Sequence, residues 1–354
     1  AAVKTEVDAI NAKVYDKSDA KINDIYAVGR KASLEHFEDL YKVLGTKFDY
    51  YFFEGETAPR GLKLVEKNPA VFEKSDGAVV YKGEQDGLHT RVFITSKGLP
   101  TYETKELGLA ALKAETCDLD TSVTITAHEQ ADYFKVVLAA MRKILPDLAS
   151  KIQHVSHGMM RFAEGKMSSR TGNVITGESL LADLTEAAKV RAAESRAENH
   201  EKLAQAVAVA AIKYQILKQA SGKDIIFDRE RALSLEGDSG PYLQYAYART
   251  NAIVEKAKEQ NVVAKVDVDV ATNELTRTLH RFPEIVEYAT SLYEPHIVTS
   301  YLLDVASRFN SWYAQEQILD GTPKAAHKVA LVDAVRCTLK NGLWILGIPA
   351  PEKM

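Results

Sequence analysis

Cysteine is scarce in this sequence: Cys117 and Cys337 lie far apart, with no pairing pattern around either. That argues against a disulfide scaffold and against a thiolate zinc site, and it suits a reducing compartment, so the expected location is the cytoplasm. Long hydrophobic runs are missing as well. No stretch reaches the roughly 18 apolar residues that a membrane-spanning helix needs, so none is expected. The opening Ala1-Ala2-Val3-Lys4 holds neither a hydrophobic signal region nor an initiator Met. There is no large excess of one charge, since 45 Lys and Arg stand against 49 Asp and Glu for a net charge of -4. A generic polycation is thereby excluded, whereas a nucleic-acid partner needs only a local basic face. Internal repeats and low-complexity segments are absent too. What remains is an ordinary globular composition, 46% hydrophobic and 27% charged, over 354 residues. That length is enough for two or more domains, each with its own core.

The first half alternates between helical and strand patterns. Residues 1–45 read as helix, with Leu34, Phe37, Tyr41 and Leu44 at helical spacing after Ser33 as a cap and Gly45 as the stop. Phe48–Phe53 is aromatic-rich and reads as a strand. Asp76-Gly77 between Val71-Phe72 and Val79-Val80-Tyr81 predicts a hairpin. Arg91–Thr95 reads as a further strand, Gly98-Leu99-Pro100 as a turn, Thr104–Ala114 as a helix, Thr121–Thr126 as a strand and about 130–144 as its helix. This order predicts an α/β layer with parallel strands, in which ligands sit beyond the carboxyl ends of the strands. Segments 98–106, 127–133 and 163–172 all follow strands in this reading.

The last of these is the most suggestive. Gly165-Lys166-Met167-Ser168-Ser169-Arg170-Thr171-Gly172 sets a lysine, two serine hydroxyls and an arginine between two glycines. Glycines let backbone approach a ligand closely, hydroxyls and N–H groups donate to oxygens, and the two cations supply positive charge. That is the chemistry of a loop closing over phosphates.

After Gly177 the pattern turns all-helical, at about 178–196, 199–220, 239–259, 271–291, 294–317 and 322–345, with Asn261–Asp269 as a connector. The last helix carries Lys324, Lys328, Arg336 and Lys340 as a slowly drifting basic stripe opposite Val332, Val335, Leu339 and Leu343. A solvated face is the ordinary reading of such a stripe, and contact with RNA phosphates is the other.

Four ordered segments resemble the arginyl-tRNA synthetases, a family of class I aminoacyl-tRNA synthetases. Lys166–Arg170 is similar to the KMSKS signature loop. Gly237-Asp-Ser-Gly-Pro-Tyr-Leu-Gln-Tyr-Ala-Tyr-Ala-Arg249 resembles the family's G-[ND]-[TS]-G-P-Y-L-Q-Y-A-H-A-R run. Phe309-Asn-Ser-Trp-Tyr313 resembles F-N-x-F-Y, and Asp333-Ala-Val-Arg336 resembles the DALR motif of the anticodon-binding domain. Gly347–Met354 is similar to the family's C-terminal end, so that the resemblance runs from about Ile22 onward.

The resemblance implies an arginine–tRNA ligase, an enzyme that activates arginine with ATP and passes it to its tRNA. Its fold would be α/β followed by all-α: the C-terminal half of a class I Rossmann-like catalytic domain over 1–176, a helical connection over 177–235, and a helical-bundle anticodon-binding domain over 236–354. Lys166 and Arg170 would then be catalytic, and Lys166, Met167, Ser168 and Ser169 would bind ATP, with Ser169 standing where the family has its second lysine. Tyr102 and Glu106 match the family's Y-x-x-x-D pair for the substrate guanidinium, with Glu106 one methylene longer, and Gln130 matches a glutamine near the substrate. For tRNA, Tyr242, Tyr245, Trp312 and Tyr313 offer rings on which unstacked bases can lie, and Arg336 a phosphate contact. ATP would come with Mg2+, no protein-bound metal site is expected, and the protein is expected to be a monomer.

One family signature is missing. No H-x-G-H occurs, and His154-Val-Ser-His157 imitates its spacing without the glycine. The expectation is therefore a C-terminal portion of a synthetase that does not aminoacylate tRNA by itself. The alternative is a non-catalytic tRNA-binding module derived from one.

Overall fold

A computed structural model describes residues 2–162 and 176–354. They fall into two compact units. One takes in the chain to Lys42 together with Thr46–His157, the other Val43–Gly45 with Gly158–Met354.

The first unit opens with α1 (Ala2–Asp16) and α2 (Ala20–Leu44). Gly45, at φ +67°, ends α2 as predicted, but Ser33 caps nothing: it lies mid-helix. The predicted strand over Phe48–Phe53 is also absent. These aromatics have no strand partner among the described residues and pack on helix side chains instead, with Phe48 edge-on to Tyr41 at 4.8 Å and the Arg30 guanidinium 3.7 Å over Phe53. A helix follows, α3 (Glu54–Glu66), although Pro59 lies inside it.

Next come β1 (Glu73–Ser75), β2 (Ala78–Tyr81) and β3 (Arg91–Ile94), an antiparallel sheet in the order β1-β2-β3. Its first turn is the predicted Asp76-Gly77, both at positive φ (48° and 78°), the geometry that a two-residue hairpin demands. The two-residue link makes β1 and β2 the antiparallel neighbours that the hairpin reading predicts, and β3 adds to them antiparallel as well, so the parallel pairing expected of this half begins further along the chain. α4 (Tyr102–Thr116) follows the turn at Gly98 and packs on α3 through paired glycines. A Cβ on Gly61 would stand 1.9 Å from the Thr104 carbonyl oxygen, and one on Gly108 would stand 2.0 Å from that of Thr57.

The parallel pairing appears next. β4 (Ser122–Ala127), α5 (Ala131–Ile144), α6 (Pro146–Ser150) and β5 (Ile152–His157) form a strand–helix–strand crossover, with Ser122 opposite Ile152 and Ala127 opposite His157. Phe72, Tyr81, Phe93, Leu107, Phe134 and Met141 build the core of this unit.

The second unit holds β6 (Met160–Phe162), α7 (Gly177–Ala192), α8 (His200–Leu217), β7 (Ile225–Phe227) and α9 (Arg229–Ala232), with β6 and β7 paired in parallel. It continues as α10 (Gly240–Glu259), α11 (Glu274–His280), α12 (Phe282–Leu292), α13 (Pro295–Gln315) and α14 (Ala325–Ile345). The single helix expected over 271–291 is two. Pro283 has no N–H to continue α11, but it is well placed in the first turn of α12. One continuous core, including Tyr214, Leu243, Tyr247, Leu302, Phe309, Val332 and Leu339, joins α8, α10, α13 and α14. No helix among the described residues is long and apolar enough to cross a membrane.

Candidate functional site

In the first unit, Tyr102 occupies the first position of α4, largely exposed, with the Lys105 ammonium 5.2 Å from its ring. Glu106 lies one turn further along the same face. Its carboxyl is half-buried and has no hydrogen-bond or ion-pair partner among the described residues. Burial raises its pKa, the charge of Glu54 adds to the rise and Lys113 opposes it. The neighbouring acid behaves differently. Glu103 is buried and accepts from the Arg91 guanidinium at 3.4 Å.

Tyr133 of α5 belongs to this group too. It is buried, its phenol is pushed well up by burial and by the charges of Glu106 and Glu103, and Arg91 lies 6.0 Å over its ring. So the fold already holds one guanidinium against a carboxylate and a tyrosine. It leaves a second carboxylate, on Glu106, unneutralised beside them. Gln130 ends the short turn that leads into α5 and is exposed. The sequence missed Tyr133, Glu103 and Arg91, although Tyr133 lies within the segment 127–133 that follows a strand.

The KMSKS-like residues Lys166, Met167, Ser168, Ser169 and Arg170 lie outside the described residues. His154, the first histidine of the imitation pair, serves packing: its ring stacks on Phe134 at 4.3 Å, its Nε2 is 2.8 Å from the Thr126 hydroxyl, and burial lowers its pKa. Among the described residues no cluster of His, Cys, Asp and Glu has the makings of a metal site.

In the second unit the Gly237–Arg249 run divides into two jobs. Its first residues build the start of α10. Gly237 turns at φ +76°, Asp238 is gripped by the Tyr214 hydroxyl at 2.5 Å and the Lys218 ammonium at 3.0 Å, and Ser239 caps the helix by accepting from the Tyr242 N–H at 3.1 Å. A Cβ on Gly240 would stand 2.2 Å from the Ala210 carbonyl oxygen, so only glycine lets α10 cross α8 here. The Tyr214 hydroxyl and the Lys218 ammonium, both donating to it, hold the Asp238 carboxyl below its usual range, against a burial that pushes the other way.

The later residues Tyr242, Tyr245 and Arg249 recur at i, i+3 and i+7 and therefore share one face. On that face the Arg249 guanidinium lies 4.7 Å from the Tyr245 ring centre and 5.5 Å from that of Tyr313, which comes from α13. It donates to the Asn310 amide oxygen at 2.5 Å, and the Asn310 amide nitrogen donates to the Tyr242 hydroxyl at 2.9 Å. The two family-like segments thus meet side chain to side chain. Arg249 has no carboxylate partner among the described residues, so the cage of rings holds a net positive charge. Tyr313 is 40% exposed, and Tyr242 and Tyr245 are half-buried. Beside the cage a cleft is lined by Tyr245, Arg191, Ser195, Arg229, Leu233 and Met354.

Two predicted RNA residues stand apart from this group. Trp312 packs half-buried on the helical core. Arg336 donates to Asp333 at 2.7 Å and lies by Tyr247, on another face of α10 from Tyr245. The basic stripe is also partly spent, since Lys328 is bound by Glu316 at 2.8 Å and Asp320 at 3.2 Å. Arg249 and Asn310 were not singled out from the sequence. Both sit inside quoted segments, and the i+7 spacing from Tyr242 was the available signal for Arg249.

A family model described as tRNA synthetases class I (R), catalytic domain, matches residues 19–229, and one described as DALR anticodon binding domain matches residues 243–354. The structure is similar to an arginyl-tRNA synthetase of Thermus thermophilus, with a TM-score of 0.80 at 25% identity over 96% of this chain and 68% of that one. It also shares its fold with the arginyl-tRNA synthetase of Plasmodium falciparum, with a TM-score of 0.78 at 21% identity, over 97% of this chain and 61% of that one. The class is thus a class I tRNA synthetase catalytic fold joined to a helical anticodon-binding domain. Among curated proteins, the arginine–tRNA ligase of Clostridium botulinum is 32% identical over 97% of this chain, and that of Flavobacterium psychrophilum 31% identical over 90%. The chain belongs to the arginyl-tRNA synthetase family. It spans 62% and 55% of the length of these two relatives.

Proposed function

We propose that this chain contributes the arginine-recognising and tRNA-binding parts of an arginine–tRNA ligase, in which ATP activates arginine and the arginyl group passes to its tRNA. The observation that carries the reading is the Arg249 cage, where two segments that resemble the family's meet around an unneutralised cation flanked by tyrosine rings. A cation and several π faces on one surface suit a phosphate and the unstacked bases of a single-stranded loop. Tyr242, Tyr245 and Tyr313 are the stacking candidates, with Trp312 and Arg336 as more distant contacts. The cleft lined by Tyr245, Leu233 and Met354 has room for one splayed base.

On the substrate side, Glu106 is the carboxylate that an arginine guanidinium would neutralise, with Tyr102 and Gln130 flanking it. An unpaired, half-buried carboxylate is costly, and a planar cationic fork removes that cost. ATP accompanied by Mg2+ would meet Lys166, Met167, Ser168 and Ser169, with Lys166 and Arg170 neutralising the departing pyrophosphate. We assign residues 1–176 to the catalytic domain, 177–235 to the helical connection and 236–354 to anticodon binding, and we take the protein to be a cytoplasmic monomer.

The test uses the purified 354-residue chain and a fluorescent anticodon stem–loop from an arginine tRNA. Saturable binding is expected, with displacement by unlabelled arginine tRNA and little displacement by a tRNA of another identity. Equal displacement by both would sink the reading.

A further inference from the structure

Among the described residues, Asn310 hydrogen-bonds both the caged cation and the Tyr242 hydroxyl. A side-chain amide can be turned either way round, and here the neighbours settle which way. A guanidinium has donors only, so the amide oxygen must face Arg249, as the 2.5 Å contact to Nη1 has it. The amide nitrogen is then committed to Tyr242 at 2.9 Å, and because an NH2 group only donates, the phenol oxygen accepts. Two consequences follow. The Tyr242 proton is turned away from Asn310 and has no acceptor among the described residues. Arg249 is held by a neutral partner, so its Nε and Nη2 donors and its full charge remain for a ligand.

No other side chain of this size does both. An aspartate in the same place would accept from Arg249 and cancel its charge, and it would draw the Tyr242 proton inward. An alanine would release the guanidinium from one wall of its cage. A buried or half-buried guanidinium facing only rings and an amide is an unusual choice where stability alone is at stake, because a carboxylate would hold it more firmly.

We propose that Asn310 is a positioning residue for RNA: it fixes Arg249 between Tyr245 and Tyr313 without neutralising it, and it aims the Tyr242 hydroxyl proton at an RNA acceptor. The proposal rests on the tRNA-binding reading above, and it predicts that the sign of the group at position 310 controls affinity. The Arg249 and Tyr242 donors it keeps available suit the acceptor oxygens of a phosphate or a base carbonyl in a single-stranded loop.

The decisive variant is Asn310→Asp, which has the same shape and differs in charge. Stem–loop affinity of the 354-residue chain is measured across a salt series for the wild type and for this variant, with thermal unfolding of both followed by circular dichroism. The expected result is binding weaker by roughly tenfold, with the slope of log affinity against log salt smaller by about 1, in a protein that melts no lower than the wild type. An unchanged affinity and slope in the folded variant would overturn the proposal. A second measurement needs no RNA: a double-mutant cycle on unfolding with Arg249→Met and Asn310→Ala. Non-additive shifts are expected, and additive ones would show that Asn310 does not position Arg249. If the wild type fails to bind the stem–loop at all, the tRNA-binding reading falls, and the cycle alone decides whether Asn310 holds Arg249 in place.

Discussion

α2 and α10 are both long helices in which about half the residues are apolar, yet they end up in opposite circumstances. None of the residues of α2 is buried against the described chain, and Ile25, Val28 and Phe37 are 64%, 71% and 48% exposed. α10 buries eleven residues, among them Leu243, Gln244, Ala246 and Tyr247 at 0% exposure. Apolar content and helical period therefore say that a helix forms and which face is greasy. Whether that face is covered depends on a partner surface elsewhere. The same contrast separates the two candidate sites. The α10 site is assembled by two segments locked together, whereas the α4 site leaves a lone carboxylate waiting for a charge.

The largest test of this contrast is at a glycine. Gly240 lies where α10 crosses α8, and a methyl there would stand 2.2 Å from the Ala210 carbonyl oxygen and 2.6 Å from its carbon. Backbone cannot yield as a flexible side chain does, so Gly240→Ala forces the two helices apart. We expect a loss of about 3 kcal/mol, read by urea unfolding of the second unit, and a loosened Arg249 cage with it. A variant as stable as the wild type would mean that the crossing is not tight and that the motif's glycine serves something other than packing.

The next test is at Glu106. Burial holds its carboxyl above the ordinary 4.5. For an acid, a folded value raised above the unfolded one means that the native state binds more protons, so stability falls as pH rises from about 4.5 through the raised value. Glu106→Gln removes that loss. The variant is expected to gain about 1 kcal/mol at pH 8 and close to nothing at pH 4, measured by urea unfolding at the two values. A gain equal at both would show that the charge is not what makes Glu106 costly.

How much of this was legible in the sequence depends on which interactions are local. The Asp76-Gly77 hairpin, the strand over Ser122–Ala127 and the helix after it were readable because a turn residue or a period announces each. α3 was not readable, since Gly55, Pro59 and Gly61 look like breakers. In the structure Gly61 is instead what lets α3 touch α4, an interaction between segments about fifty residues apart, and no local rule carries it. Phe48–Phe53 misled in the other direction: aromatic density mimics a strand, but a strand needs an edge to pair with, and these rings found α2. The tyrosines of α10 were picked out for their type. Arg249 and Asn310 acquire their meaning only once α13 is laid beside α10. Ordered motifs were enough to indicate the family. The geometry around them was needed to say which residues brace and which are left with free donors.

The smallest effect belongs to the exposed side of the comparison. Gly29 lies in the middle of α2, and a Cβ there would meet nothing within 4 Å. Glycine in an open helix costs backbone entropy and offers no packing in return. Gly29→Ala should therefore stabilise α2 by about 0.5 kcal/mol, visible as a small rise in helical circular dichroism and slower amide exchange along Ala20–Leu44, with little change in global unfolding. The same substitution type thus has opposite signs at Gly29 and Gly240, and the neighbouring backbone is the whole reason. Should Gly29→Ala destabilise the protein instead, something approaches that face closely enough to exclude a methyl group, and the exposed stripe of Ile25 and Val28 would have to be counted as a covered surface.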